Sequence, residues 1–297
     1  MNKLPIATRV QILSMLCEGS SMRSISRICD VSINTVSKLL EEAGEVCASF
    51  HDEHVRGVKG SRVQVDEIWS FTAAKQKNVA VMKKPIDGAG DTWTWTALEA
   101  DTKLIVSFFV GGRDSDSAKR FMGDVASRLA ARVQLTSDGH KAYLDAVEGA
   151  FGADVDYAQL VKMYGASPES MKGRYSPAEC TGIKKTPIEG KPDPKHISTS
   201  FVERQNLSMR MGMRRFTRLT NAFSKKVGNH IHALALYFVH YNWMRIHKTL
   251  RVTPAMAAGL TGKLMGWEDI ITIMDADEKD TLARKRAAML DELPYSN

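Results

Sequence analysis

The sequence predicts an α/β protein built on a mixed five-stranded sheet and preceded by a small all-α unit. Three observations predict it. Residues 1–47 carry apolar side chains at helical spacing and nothing that reads as a strand. From Arg62 the texture changes to runs rich in β-branched and aromatic residues. Beyond the first three such runs, strands and helices alternate, giving the order three strands, helix, strand, helix, strand, helix.

The chain has 297 residues, enough for one large domain or one large and one small. Hydrophobic residues make up 43% and charged residues 25%, an ordinary balance for a globular protein. No apolar run reaches the length of about 18 residues that a membrane span needs, so no membrane partner is expected. The opening Met1-Asn2-Lys3-Leu4-Pro5 lacks the apolar stretch of a signal peptide, and the protein is expected to stay where it is made. Cys17, Cys29, Cys47 and Cys180 are scattered and form no CxxC pair, which argues against a zinc knuckle or a disulfide framework and for reduced thiols.

In the first unit, Ile6, Val10, Leu13 and Leu16 recur at helical spacing, and Gly19 ends that helix. Ser21 starts a second helix with Met22, Ile25 and Ile28 on its apolar face. A Cys29-Asp30-Val31 turn leads to Ser32 as N-cap of a third helix, with Ile33, Val36, Leu39 and Leu40 inward and Gly44 closing it. This is a helix-turn-helix layout, and Asn34, Thr35, Ser37 and Lys38 on the last helix suit base edges and phosphates. The unit has no net electrostatic pull: Lys3, Arg9, Arg23, Arg27 and Lys38 face Glu18, Asp30, Glu41, Glu42 and Glu45. A three-helix packing unit without a nucleic-acid role is the alternative. Residues 48–61 read as a polar linker. Within it His51 and His54 beside Asp52 and Glu53 read as solvated rather than as a metal cluster, because no second ligand pair lies near in the chain.

The main domain is assigned to 62–260. Val63–Phe71, the alternating Thr92-Trp93-Thr94-Trp95-Thr96 and the apolar run Leu104–Val110 are its first three strands, with Asp87-Gly88-Ala89-Gly90-Asp91 as a turn. Ser115–Leu129 is helical, with Ala118, Phe121, Met122, Val125 and Leu129 on one face. Val133–Thr136 is a fourth strand, Lys141–Phe151 a helix and Val155–Val161 a fifth strand. The Gly-, Pro- and Lys-rich stretch 165–195 reads as a loop or insertion. Residues 261–297 turn acidic and read as a helical tail, with Leu282, Ala283, Arg286 and Leu290 spaced for it. Trp69, Trp93, Trp95 and Trp243 are expected in the core rather than as base-stacking platforms.

Charge and three acids point to chemistry. The formal net charge is +7, but its distribution says more. From Arg204 to Trp267 there is no Asp or Glu. The same stretch carries Arg204, Arg210, Arg214, Arg215, Arg218, Lys225, Lys226, Arg245, Lys248, Arg251 and Lys263. Such one-signed segments attract phosphate backbones; the bland reading is a solvated basic face. Asp66 sits mid-strand in Val65-Asp66-Glu67-Ile68-Trp69, where burying a carboxylate needs compensation. Asp138 follows the fourth strand in Thr136-Ser137-Asp138-Gly139-His140, and Glu203 lies in the helical stretch Ser200-Phe201-Val202-Glu203-Arg204-Gln205-Asn206. Three hard oxygen ligands converging on one sheet end suit Mg²⁺ or Mn²⁺. Two such ions about 4 Å apart assist phosphoryl transfer. Glu67, next to Asp66, is a competing ligand by spacing alone.

These residues resemble the DDE transposases of the ribonuclease-H-like (retroviral-integrase-like) superfamily, most closely the insertion-sequence-one family, over about residues 62–260. The motifs are Val65–Trp69, Thr136–Tyr143, Phe201–Asn206 and Tyr241-Asn242-Trp243-Met244-Arg245-Ile246-His247-Lys248-Thr249-Leu250, leading to Thr253-Pro254-Ala255. The resemblance implies a ribonuclease-H-like core in which Asp66, Asp138 and Glu203 are catalytic and bind two Mg²⁺ (or Mn²⁺) ions. It also implies a basic residue seven positions after the Glu, here Arg210. That is nearly two helical turns, so Arg210 shares a face with Glu203 and Asn206. His140, Tyr143, Asn242, Arg245 and His247 are candidates for DNA contact or support of the metal ligands, or else structural hydrogen-bonding groups. The partners implied are the double-stranded DNA of element ends and target, and further copies of the chain, with no small-molecule cofactor. The setting implied is a bacterial cytoplasm, at the nucleoid. A cysteine zinc finger ahead of the helix-turn-helix, common in that family, is missing here, so end recognition is expected to differ. Two alternatives stand beside the transposase: a nuclease of the same fold that cuts without joining, and a non-catalytic DNA-binding regulator.

Overall fold

The structure, a computed structural model, describes residues 3–165, 179–217 and 221–291, with side chains through 279 other than that of Glu179. In chain order the elements are α1 (Ile6–Cys17), α2 (Met22–Ile28), α3 (Ile33–His54), β1 (Arg62–Thr72), α4 (Gln76–Val79), β2 (Gly90–Glu99), β3 (Ile105–Gly111) and α5 (Ser115–Arg128). Then follow β4 (Gln134–Ser137), α6 (Ala142–Phe151), β5 (Asp156–Gly165), β6 (Glu179–Glu189), α7 (Ser200–Gly212), α8 (Val227–Val239), α9 (Pro254–Ala257) and α10 (Trp267–Asp291). Arg218 and the side chains of Leu282, Ala283, Arg286 and Leu290 lie outside the described residues.

The strands form one mixed sheet in the order β3-β2-β1-β4-β5-β6. β1, β2 and β3 pair antiparallel, β4 lies parallel to both β1 and β5, and β6 returns antiparallel on β5. The sheet therefore has six strands, not five. The added strand comes from the stretch read as a loop, of which 166–178 lie outside the described residues. The side chains of β6 are largely exposed on both faces, so no hydrophobic alternation marks it in the sequence. Its ladder to β5, from Tyr157↔Glu189 to Gly165↔Glu179, makes it a strand.

Alternate residues of β1 enter different cores, as the two-residue period of a strand requires. Val63 and Val65 join an apolar cluster with α5 and α6. Ile68 joins Val202 and Met209 of α7 and Leu234 and Phe238 of α8 on the other face. The sheet is thus covered on both sides.

The helical unit is stitched into this body. Ser21 and Ser32 cap α2 and α3, their hydroxyls accepting the N–H of Ser24 (3.1 Å) and Thr35 (3.0 Å). The expected helix end at Gly44 and linker from residue 48 are corrected: α3 runs on for 22 residues to His54. Gly44 is a crossing point rather than a stop, since a Cβ there would lie 2.3 Å from the Cβ of His232 on α8. The linker histidines belong to the frame. His51 is buried with Nε2 3.2 Å from the Ile105 carbonyl, and His54 stacks on Phe50 at 4.0 Å. The expected C-terminal tail is also core at its start, where Ile270 and Ile271 of α10 are buried with Ile12, Leu13 and Leu40. Arg9 of α1 gives Asp275 of α10 two hydrogen bonds, at 2.8 and 2.9 Å.

Trp95 and Trp243 are fully buried as expected, whereas Trp69 is 40% exposed. No helix among the described residues is long and apolar enough to cross a membrane.

Candidate metal centre

The site begins with a mismatch of strand lengths. β4 has four residues, between β1 with eleven and β5 with ten. The last β1–β4 pair is Gln64↔Thr136, and the last β4–β5 pair is Ser137↔Gln159. Beyond them β1 and β5 continue with no strand between, which leaves a notch at the carboxyl end of β4, the end of a parallel sheet where ligands bind. Counting two residues on from Gln64↔Thr136 brings Asp66 level with Asp138. The register alone therefore carries both carboxylates to the notch.

Each carboxylate is held. Asp66 Oδ1 accepts the Glu67 N–H at 2.9 Å, and its Oδ2 accepts Nδ2 of Asn206 at 2.8 Å. Asp138 Oδ1 accepts the His140 N–H at 2.9 Å. Asp66, Glu67 and Asp138 each offer an oxygen within 4.8 Å of the others. Glu67 points to the opposite face from Asp66. There its buried carboxylate accepts from Arg113 Nε at 2.7 Å and from the Tyr143 hydroxyl at 3.1 Å. Arg113 also lies 4.0 Å from Asp138 and over the Trp93 ring at 4.8 Å.

α7 closes the notch on the Asp66 side. Gln64, two residues before Asp66 on the same face, accepts the N–H groups of Phe201 and Val202 at 2.9 and 3.1 Å. Those are donors that the first turn of a helix cannot use internally. Docked so, α7 presents Asn206 to Asp66 and lines a cleft of about 750 Å³ with Glu203, Asp66 and Asp138. Glu203 is already engaged: Thr199 Oγ1 donates to Oε1 at 2.7 Å, and Lys162 Nζ lies 2.6 and 2.5 Å from its two oxygens.

The electrostatics follow from the crowding. Burial, then the nearby Glu67 and Asp138 carboxylates, push the Asp66 carboxyl up to about 7. Burial and Asp138 also raise Glu67, with Arg113 opposing. Arg113 answers Glu67 and Lys162 answers Glu203, while Asp66 and Asp138, whose oxygens lie within 4.8 Å of each other, offer the hard oxygens that fit a divalent cation such as Mg²⁺ or Mn²⁺.

The other candidates divide. His140 lines the cleft, and its buried Nε2 has no partner among the described atoms. Tyr143 serves Glu67. Asn242 does not reach the cleft: its amide accepts the Ile105 N–H at 3.0 Å and donates to the Ile105 carbonyl at 2.9 Å, answering the backbone of the sheet's edge strand. Arg210, Arg245 and His247 do not line the cleft. Arg214 is exposed, but Arg215 turns inward. Its Nη1 donates to Ser224 Oγ at 2.7 Å, and burial pulls its guanidinium down to about 10. On α3, Asn34 and Lys38 are exposed, whereas Thr35 is half-buried at the cap and Ser37 accepts from Asn229 of α8 at 3.2 Å. Lys162, Arg113 and Thr199 were not singled out from the sequence. Lys162 carried one faint signal, a charge two residues beyond Leu160 on the inner face of a strand.

No protein-family model and no curated protein matches the sequence. Among solved structures, the chain is similar to the Mos1 transposase paired-end complex with left transposon end at 13% identity and a TM-score of 0.23, over 53% of this chain. It spans 60% of that chain. It is similar to the piggyBac transposase synaptic complex with hairpin DNA at 10% identity and a TM-score of 0.38, covering 98% of this chain and 73% of the other. The Mos1 strand transfer complex follows at 12% identity, a TM-score of 0.24 and 80% and 78% coverage.

Proposed function

We propose that this chain is a metal-dependent DNA transposase, a polynucleotidyl transferase with endonuclease activity, built on a ribonuclease-H-like core. The observation that carries the reading is the strand register at the end of β4. It brings Asp66 level with Asp138, under a helix that presents Glu203 to the same cleft. The sequence motifs around these three acids support it independently. Asp66, Asp138 and Glu203 would hold Mg²⁺ or Mn²⁺, two ions per site. Such ions supply charge stabilisation to the attacking and leaving oxygens of phosphoryl transfer.

The chain's own residues orient and bind. Asn206 and the Glu67 N–H set the direction of the Asp66 carboxylate, and Arg113 balances the buried charge of Glu67 beside it. Arg204, Arg214, Lys225, Lys226, Arg245, Lys248 and Arg251 are each exposed, in a stretch of sequence without a single acid, which suits a phosphate backbone. α2 and α3 act as a helix-turn-helix that recognises inverted-repeat ends through Asn34 and Lys38, and the enzyme works as a homo-oligomer on DNA. Water would hydrolyse one phosphodiester to leave a 3′-hydroxyl and a 5′-phosphate, and that hydroxyl would attack a target phosphorus in line, the new P–O bond replacing the one to the target's departing 3′-oxygen.

Incubation with end-containing duplex and Mg²⁺ tests this directly. Joined products are expected from the wild type and not from Asp66→Asn or Asp138→Asn. Cut ends without joined products would mark a nuclease instead, and undiminished activity in both variants would overturn the site.

A further inference from the structure

Lys162 makes a short polar contact in the cleft, with a carboxylate that a metal would need. Ala158 and Leu160 of β5 pack with Ile197 on the α7 side of the sheet. Two residues on, strand alternation puts Lys162 on that same face. β4 has ended by then, so the side chain reaches over the notch to α7. Its Nζ lies 2.6 and 2.5 Å from the two oxygens of Glu203, and Thr199 occupies Oε1 as well. Those oxygens are the atoms Glu203 would offer a metal. Among the described residues, the carboxylates close enough to share an ion are Asp66, Glu67 and Asp138, without Glu203.

An ammonium and a divalent cation compete for the same oxygens and repel each other. The Lys162 and Glu203 side chains are 31% and 40% exposed, so the pair sits at the mouth of the cleft, where incoming DNA would meet it. Ion pairs this open are weakly held and exchange partners readily. A backbone phosphate offers the ammonium an alternative partner.

We propose that Lys162 is a positioning residue, an internal cation that holds Glu203 away from the metal cluster until a DNA phosphate takes the ammonium. The free protein then holds one divalent ion, at Asp66 and Asp138, and the second site forms only with DNA. The proposal rests on the metal-dependent reading above.

Mn²⁺ binding to the DNA-free protein, followed by calorimetry and electron paramagnetic resonance, tests it without any activity. Wild type and Lys162→Arg are expected to take up one ion. Lys162→Gln should take up two, the second about three- to fivefold tighter than any residual second uptake by wild type, as expected for removal of a half-exposed competing charge. Two equivalent ions in the free wild type, or one in Lys162→Gln with its fold intact by circular dichroism, would overturn the lock and leave the metal site standing. No uptake by any of the three proteins would sink the metal site and the lock with it.

Discussion

The edge of the sheet at β3 and the notch at the end of β4 both gather polar groups around strand backbone, and they handle them in opposite ways. At the edge, Asn242 answers both backbone groups of Ile105, and His51 adds a contact to the same carbonyl. Burial pulls the His51 ring down to about 3, so it sits there neutral. At the notch, carboxylates crowd within 4.8 Å, and Asp66 is pushed up to about 7 by burial and its neighbours. Neutral groups fully partnered make a frame rigid. Like charges held together against their preference mark the place where a ligand is expected to bring the missing charge.

The largest effect expected from breaking this contrast is at the notch. Asp66→Asn or Asp138→Asn should lower cleavage and joining by roughly 10³-fold, the scale of losing a group that stabilises transition-state charge. Unfolding midpoints in urea should hold or rise, because a crowded charge is gone. Next comes the partner of the notch: Arg113→Gln, which leaves the buried Glu67 without its cation, should cost roughly 10–100-fold in activity, as loss of a group orienting metal ligands does. An unchanged rate there would mean that Glu67 and Arg113 belong to the frame. At the edge, Asn242→Leu should cost about 1–3 kcal/mol of stability by leaving the buried Ile105 N–H unanswered, while His51 keeps its contact to the carbonyl. Mn²⁺ affinity should stay at the wild-type value, and a shift in it would erase the distinction between the two regions.

The smallest effect separates them by the sign of their pH dependence. In the metal-free protein Asp66 keeps its proton to about 7 against an ordinary 3.8, so the folded state binds more protons in that window. Its contribution to stability falls as pH rises from about 4 to about 7. His51 and His230, held near 3 against an ordinary 6.5, act oppositely, and their contribution is lost as pH falls below about 6.5. The two trends offset in the wild type. Subtracting the stability profile of Asp66→Asn should isolate the falling component, and a flat difference would refute it.

Much of the frame was legible because it is local. The caps Ser21 and Ser32, the apolar period of α5 and the five strands through β5 are written in neighbouring residues, and so are the positions of Asp66 within β1 and of Asp138 just past the end of β4. Gly44 misled, because a glycine that stops a helix and one that admits a crossing helix read alike until the other helix is known. Asn242 stayed open between two readings for the same reason: its amide suits a base edge as well as a strand edge.

What the sequence by itself determined is the kind and order of most elements and which of them carry Asp66, Asp138 and Glu203, since spacing along the chain is enough to encode both. Only the tertiary structure decided that a sixth strand completes the sheet, that Asn242 meets Ile105 across 137 residues, and that Glu203 meets Lys162 across 41. Those partners are chosen by how strands end and helices pack. No local pattern records a contact between residues that become neighbours only when the chain has folded.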